Sequence, residues 1–257
     1  MAAFLLVARA AEAFGLDPAR LGRLGGNSGS SWDAGEHVLR AGSRAVVDRE
    51  LAAVTAVSAV LPVPRVIGRT DFADGSAVLL EKLPGQPAAD LAQARPALAR
   101  AAGRACGAVH ALLAEVPAPA GLRAAPNAPG GGTRRAEARL LHLDLHPFNV
   151  LVSEEGAVTG VLDWANAAAG DPVLDRARTW AILTLDPAAR ARGAQPAWQA
   201  LSGGWAQSAG LHDIPATARA WACRFMLADL ARRYSPDDLK HVGQALGEAE
   251  TAARRPS

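Results

Sequence analysis

His142-Leu143-Asp144-Leu145-His146-Pro147-Phe148-Asn149-Val150-Leu151 is followed, a short gap later, by Val161-Leu162-Asp163-Trp164, and these two stretches decide how the chain is read. Four residues separate Asp144 from Asn149. That is the H-x-D-x-x-x-x-N spacing of a phosphoryl-transfer centre, in which the Asp meets the acceptor hydroxyl and the Asn holds a metal. Val150-Leu151-Val152 and Val158-Thr159-Gly160-Val161-Leu162 have strand character, and Glu154-Glu155-Gly156 between them is a hairpin turn signal. A hairpin of that length returns Asp163 to the end from which Asn149 leaves. Two hard oxygen ligands then converge on one point, as a Mg²⁺ shared with nucleotide phosphates requires.

Taken singly, these residues say little. An Asp ahead of a strand is ordinarily a turn or cap residue. His142 is expected to pin the loop through hydrogen bonds rather than act as a base, and His146 before Pro147 suits either a loop scaffold or a site contact. The joint spacing selects the functional reading, because Asp, Asn and Asp seldom fall at these separations around a hairpin by chance. Asp171 and Asp175 are assigned to helix capping and loop bracing, and Trp180, Trp198, Trp205 and Trp221 to the helical core.

Working outward, 257 residues suffice for one large domain or two small lobes sharing a core. Half the residues are apolar and a fifth charged, the balance of a soluble globular protein. A net charge of +2, with no block of five like charges, gives no sign of a nucleic-acid partner. Cys106 and Cys223 sit in Ala-rich helical runs and read as reduced core thiols, which places the chain in the cytoplasm. Ala2–Phe14 lacks a basic start and is interrupted by Arg9 and Glu12, so it reads as an amphipathic helix rather than a signal segment. No apolar stretch approaches membrane-span length, and no membrane partner is expected.

The front of the chain alternates strand and turn. Leu21–Trp32 carries a Gly/Ser loop, Asp33-Ala34-Gly35 is a turn, and His37–Arg40 is a strand. Val46–Val60 has helical spacing and carries Glu50, and the prolines at Pro62 and Pro64 stop it. Val66–Gly68 and Ala77–Leu80 are expected strands around a turn at Asp74-Gly75. Glu81-Lys82-Leu83-Pro84-Gly85 is a breaker segment, taken as a hinge. Ala88–Val116 is helical with a break at Pro96, and Pro117–Gly132 is Pro/Ala/Gly-rich and expected to be an exposed linker. From Asp171 onward the pattern is helical. Asp171-Pro172 caps one helix, and Ser235-Pro236-Asp237-Asp238 is expected to start the last. The fold class is α+β, a small antiparallel sheet with one helix ahead of a mainly helical half.

These motifs, from Gly25 to Asp175, resemble the aminoglycoside phosphotransferase (APH) family of small-molecule kinases, which has a protein-kinase-like two-lobe fold. Leu141–Asp163 carries the most specific likeness, supported by Leu61-Pro62-Val63-Pro64-Arg65-Val66 and Gly170-Asp171-Pro172 with Asp175. The resemblance implies a nucleotide-binding lobe over 1–83. It implies a C-terminal lobe over 84–257, with a catalytic loop at 141–163 and a helical acceptor region at 171–257. It makes Asp144 the catalytic residue and Asn149 and Asp163 the Mg²⁺ ligands. Arg40 stands where the family has a lysine touching the nucleotide phosphates, with Glu50 as its helix partner. Backbone at Glu81 and Leu83 is placed at the adenine, and Ser28, Ser30 and Ser31 at the terminal phosphate. The implied cofactors are ATP (or GTP) and Mg²⁺, and the partner is a small-molecule hydroxyl acceptor, in a monomer or homodimer.

Within that resemblance the function expected is phosphorylation of an antibiotic or related natural product. The alternatives are a metabolite kinase of the choline or homoserine kind, and a nucleotide-binding pseudokinase. A protein kinase is disfavoured, because Asp163-Trp164-Ala165 is not D-F-G and only seven residues separate Asp163 from Asp171. From Asp171 to the C-terminus there are nine acidic and eleven basic side chains. A half so balanced suits an acceptor of low or modest positive charge better than a tetracation. Asp175, Asp186 and Asp213 are the carboxylates left to meet an amine.

Overall fold

α1 (Ala2–Ala13) buries Leu6, Val7, Ala10 and Ala11, the one-face spacing of an amphipathic helix. That face lies on Leu39, Ala77 and Leu79 of a five-stranded antiparallel sheet. The sheet runs β1 (Gly22–Arg23), β2 (Ser31–Ala34), β3 (His37–Gly42), β5 (Gly75–Glu81), β4 (Val66–Phe72) across its width. The computed structural model describes residues 2–24, 31–129 and 137–254, so Ser28 and Ser30 lie outside the described residues. β4 and β5 are longer than expected, because their pairing continues to Phe72↔Gly75 at the turn.

The embedded helix α2 (Arg44–Val57) starts and stops two to three residues earlier than its apolar spacing implies. The Val46 and Val47 amides already fold onto the Ser43 carbonyl, while Val60 and Leu61 turn back onto the Val57 carbonyl. Glu50 and Val47 lie on its buried face.

After Glu81 the chain leaves the first sheet and enters β6 (Gln86–Pro87), so the expected hinge lies between two sheets. β6 pairs with β8 (Val150–Val152), and β8 with β9 (Val158–Val161). A second ladder joins β7 (Arg139–Leu141) to β10 (Ala168–Gly170). The helices α3 (Ala88–Ala94), α4 (Ala99–Leu113), α5 (Pro172–Leu185), α6 (Pro187–Ala191), α7 (Pro196–Ala209), α8 (Ala216–Leu230) and α9 (Lys240–Ala253) make up the rest. The break expected at Pro96 falls between α3 and α4.

α4 and α7 cross with their backbones nearly touching. A Cβ on Gly103 would collide with the Leu201 carbonyl, and one on Gly204 with the Arg100 carbonyl, so only glycine fits at either point. Around this crossing Trp198, Trp205 and Trp221 are buried in one large core. Trp180 is only half-buried, with Arg219 over its ring at 5.2 Å. Cys106 and Cys223 are buried free thiols.

Two expectations need correction. The 117–129 stretch is not a bare linker. Ala118 donates to the Ala138 carbonyl, Ala125 donates to Ala169, and Ala169 donates back to Arg123. Its prolines have no N–H to give to a strand ladder, so neighbouring strand ends satisfy the backbone groups that remain, and Ala125 is buried. The Ser235–Asp238 box does form, with the Ser235 amide on Asp238 and the Asp238 amide on Ser235 Oγ. It closes a turn, and the regular helix begins at Lys240.

Candidate active site

The β8–β9 hairpin brings the named residues together. Gly156 takes the left-handed conformation at its turn (φ +87°), as expected for the Glu154-Glu155-Gly156 signal. At the open end the Leu162 amide donates to the Asn149 carbonyl at 2.8 Å, so Asp163 re-enters beside Asn149. Asn149 Nδ2 donates to the Asp144 carbonyl at 2.9 Å. That fixes the amide orientation and leaves Oδ1 without a donor among the described residues. Asp163 is itself left-handed (φ +60°), as is Leu143 (φ +61°), and strained non-glycine backbone of this kind concentrates at working sites.

Arg40 joins the two halves of the molecule. From β3 its Nη2 meets Glu50 Oε1 of α2 at 2.6 Å and Asp163 Oδ1 at 3.2 Å. The Arg40 and Glu50 side chains are only 11% and 9% exposed, so this is a buried ion pair and not a surface one. Ser31 lies directly across the ladder from Arg40. Next to Glu50, Arg49 donates to the Ala165 carbonyl at 2.6 Å and ties α2 to the turn after Asp163. Burial pushes the Glu50 carboxyl up to about 7. Arg40 opposes that rise and the nearby Asp163 charge adds to it.

The two histidines divide as their contacts dictate. His142 Nδ1 accepts the Asp144 amide at 3.2 Å, so the proton sits on Nε2, which faces the Leu162 carbonyl at 2.9 Å. Burial lowers its pKa and keeps it neutral, and its ring lies tilted against Trp164 at 4.5 Å between centroids. It is a structural pin, as expected. His146 Nδ1 accepts the Phe148 amide, and its Nε2 stands 3.9 Å from Asp144 Oδ1. Burial pushes its pKa down to about 4. It therefore presents a neutral N–H to the site.

Asp144 projects into this setting with a carboxyl pushed up to about 6 by burial. Arg178 and His142 hold it down, and Asp163 and Asp229 push it further up. A base poised near neutrality is well matched to taking a hydroxyl proton. At the hinge, the Glu81 amide is taken by the Arg65 carbonyl and the Lys82 amide by Glu36, while the Leu83 amide has no partner among the described residues.

The loop bracing expected of Asp175 is present, and sequence reasoning missed Arg178 and Thr179, which complete a clamp behind the loop. Asp175, Arg178 and Thr179 share one face of α5. Asp175 Oδ1 accepts the His142 and Leu143 amides, Arg178 Nε donates to the Leu143 carbonyl, and Thr179 Oγ1 donates to the Leu145 carbonyl. His110 of α4 stands 3.4 Å from the other oxygen of Asp175. Burial opposes ionisation of Asp175, yet the adjacent His110 ring and the Leu143 amide hold its carboxyl below the usual range. The signal was present as polar residues at i, i+3 and i+4 on an otherwise apolar helix face. Of the carboxylates proposed to meet an amine, Asp175 is spent inside this clamp and Asp186 caps α6. A cavity of about 280 Å³ between α8, α9, Asn127 and Pro129 includes none of these groups.

Comparison with known proteins gives the family and the fold. A family model described as "Phosphotransferase enzyme family" matches residues 31–139 and 123–211, well over half of the chain. Among solved structures, aminoglycoside phosphotransferase APH(3'')-Id of Streptomyces rimosus superposes with a TM-score of 0.54 at 18% identity, covering 85% of this chain and 98% of that one. The same protein in complex with ADP and streptomycin gives 0.56 at 17%, over 81% and 91%. A macrolide 2'-phosphotransferase type I gives 0.50 at 17%, over 98% and 97%. The uncharacterized protein YcbJ of Bacillus subtilis is 50% identical over 36 residues, 14% of this chain and 12% of that protein's length. The fold is the protein-kinase-like fold of these phosphotransferases.

Proposed function

The chain belongs to the phosphotransferase enzyme family, a family of small-molecule kinases, and from that premise we propose that it transfers the γ-phosphoryl group of ATP (or GTP) to a hydroxyl of a small molecule, an antibiotic or related natural product. In this reading residues 1–83 form the nucleotide lobe and 84–257 the lobe that carries the 141–163 loop and the acceptor. The observation that carries it is the hairpin return that sets Asp163 beside Asn149, whose side chain bonds the Asp144 carbonyl, with the buried Arg40–Glu50 pair reaching the Asp163 carboxylate.

The donor set fits Mg²⁺ bound together with phosphates. Asn149 Oδ1 and the Asp163 carboxylate are hard oxygens, and two protein ligands suit a Mg²⁺ that takes its remaining ligands from phosphate and water. Among the described residues no group of three acidic, His or Cys side chains forms a self-sufficient cage. Bound Mg²⁺-nucleotide supplies the phosphoryl group and neutralises its charge. Asp144 orients the acceptor hydroxyl and takes its proton, a role worth on the order of 10²–10⁴-fold. Arg40, aimed by Glu50, steadies the phosphate oxygens as a planar fork in place of the usual ammonium. Ser31, across the ladder from it, would meet the terminal phosphate, and the Leu83 amide and the Glu81 carbonyl would serve the adenine edge.

The helical half carries nearly balanced charge, so the acceptor is hydroxylated and weakly cationic rather than a tetracation. The solved relatives' complexes with ADP and streptomycin support nucleotide use and a small-molecule acceptor. No described helix is long and apolar enough to cross a membrane, in keeping with a cytoplasmic enzyme. The test is mass-spectrometric detection of an added phosphoryl group across an antibiotic and metabolite panel, with Asp144→Asn as the control. Equal transfer by that variant would remove Asp144 from the reaction.

A further inference from the structure

Helix α5 holds the 142–145 backbone with three side chains, and one of the three is costly to keep. Asp175 and Thr179 are each matched to backbone groups of the loop. Arg178 is 2% exposed, and burying a guanidinium is expensive unless its N–H groups are satisfied. Its Nη2 meets Asp229 of α8 at 2.6 Å, and its plane lies over the Phe225 ring at 4.7 Å. Its Nη1 is shut from solvent with no hydrogen-bond partner. Apolar side chains of similar volume in place of both Arg178 and Asp229 would fill this region at equal or lower cost. Stability alone therefore does not account for an arginine here.

The remaining bond shows what the arginine does. Nε donates at 3.3 Å to the carbonyl of Leu143. That carbonyl and the Asp144 amide belong to the same peptide group, and the amide end is held by His142 Nδ1. The peptide is thus gripped at both ends, next to a left-handed Leu143 that its own side chain does not favour. Rotating that plane would swing the Asp144 side chain, and a misplacement of about 1 Å costs on the order of a hundredfold in rate.

We propose that Arg178 is a positioning residue: anchored by Asp229, it fixes the Leu143–Asp144 peptide and so the direction of the Asp144 carboxylate. The inference rests on the phosphotransfer reading for its kinetic consequence and on the loop geometry alone for its structural one. It also makes Asp229, half-exposed on α8, the outer end of a link between the helical half and the reacting carboxylate.

The full-length protein and its Arg178→Met, Arg178→Lys and Asp229→Asn variants are to be compared by three readouts. These are thermal melting, amide hydrogen exchange over residues 142–146, and turnover of Mg²⁺-ATP with water and with streptomycin as acceptors. Arg178→Met is expected to melt within about 5 °C of the parent, since a buried, incompletely satisfied charge is removed. Its loop amides should exchange at least about tenfold faster. Its kcat should fall at least about thirtyfold while the KM for ATP stays within about threefold. Lysine cannot hold Leu143 and Asp229 together as a fork does, so Arg178→Lys should recover only part of kcat, and Asp229→Asn should fall between parent and methionine variant. Loop exchange unchanged in a folded Arg178→Met protein would overturn the proposal. So would a lowered melting point with kcat kept within about threefold, the pattern of a purely structural residue. A parent that turns over no ATP would count against the phosphotransfer reading instead, and the exchange comparison would still decide whether Arg178 holds the loop.

Discussion

The two sides of the 142–163 segment, one proposed to face the nucleotide and the other the acceptor, are built by opposite means. On the nucleotide side, charged groups from distant parts of the chain meet directly: Arg40 bridges Glu50 and Asp163, and Arg49 reaches the Ala165 carbonyl. On the acceptor side the charge pairs, Arg178 with Asp229 and His110 with Asp175, stand behind the loop rather than on its side chains. α5 grips the loop through its backbone, with Asp175 and Thr179 taking amides and carbonyls one by one. The first arrangement can be loosened or tightened by whatever neutralises Asp163, whereas the second has no soluble competitor. The nucleotide side is therefore expected to respond to ligand, pH and metal, and the acceptor side to hold the loop still.

The sharpest break of that contrast is Asp144→Ala, which removes the one group both sides serve. Turnover should fall at least about a hundredfold, with the fold and nucleotide affinity nearly intact, as kcat, melting point and nucleotide titration can show. A variant keeping more than about a tenth of parental kcat would take Asp144 out of the catalytic role.

Next comes Asp175→Ala on the acceptor side. It leaves the His142 and Leu143 amides buried without an acceptor and His110 without its partner, so a loss of about 3 kcal/mol is expected in denaturant unfolding. A loss under about 1 kcal/mol would mean that the clamp does not brace the loop.

Asp163→Asn should act on ligand response rather than on stability. ATP is expected to raise the melting point of the parent only when Mg²⁺ is present, and the variant should lose that dependence, because a neutral amide replaces a charged ligand of a hard cation. Metal-independent stabilisation of the parent would contradict the proposed ligand pair. Arg40→Ala should raise the KM for nucleotide and lower kcat, whereas Arg40→Lys should retain substantial activity. Unchanged kinetics in Arg40→Ala would erase the nucleotide side of the comparison.

The smallest effect is that of pH. Asp144 titrates up to about 6 and Glu50 up to about 7, so kcat/KM should decline as pH falls from 7 through 6. The stability contribution has the opposite sense. Glu50 in the folded state keeps its proton to higher pH than in the unfolded chain. Its contribution is thus full below the ordinary carboxylate range and is lost as pH rises toward about 7. Glu50→Gln should flatten that decline in a pH series of unfolding curves.

How much of this was legible in the sequence follows the same division. The Asp144–Asn149 spacing and the return of Asp163 could be read because a hairpin fixes geometry locally, and Arg40 and Glu50 because a family pattern names them. The burial of that pair could not, since it depends on how α2 seats against the turn at Asp163. The clamp lay in plain view as Asp175, Arg178 and Thr179 on one face of α5, yet polar residues in a helix do not announce which loop will need them. The 117–129 segment was misjudged for a related reason. Its composition lacks strand and helix propensity, but its backbone polar groups still found partners at neighbouring strand ends.

Phosphoryl gain on acceptors, followed by mass spectrometry for the parent and Asp144→Ala proteins side by side, tests the central claim most directly. The panel should run from weakly charged macrolide-type compounds through streptomycin to kanamycin-like tetracations. The expected result is a Mg²⁺- and ATP-dependent gain on a weakly charged hydroxylated member, abolished in the variant. A gain that survives Asp144→Ala, or rapid and salt-sensitive phosphorylation of the tetracations in preference to the rest, would contradict it.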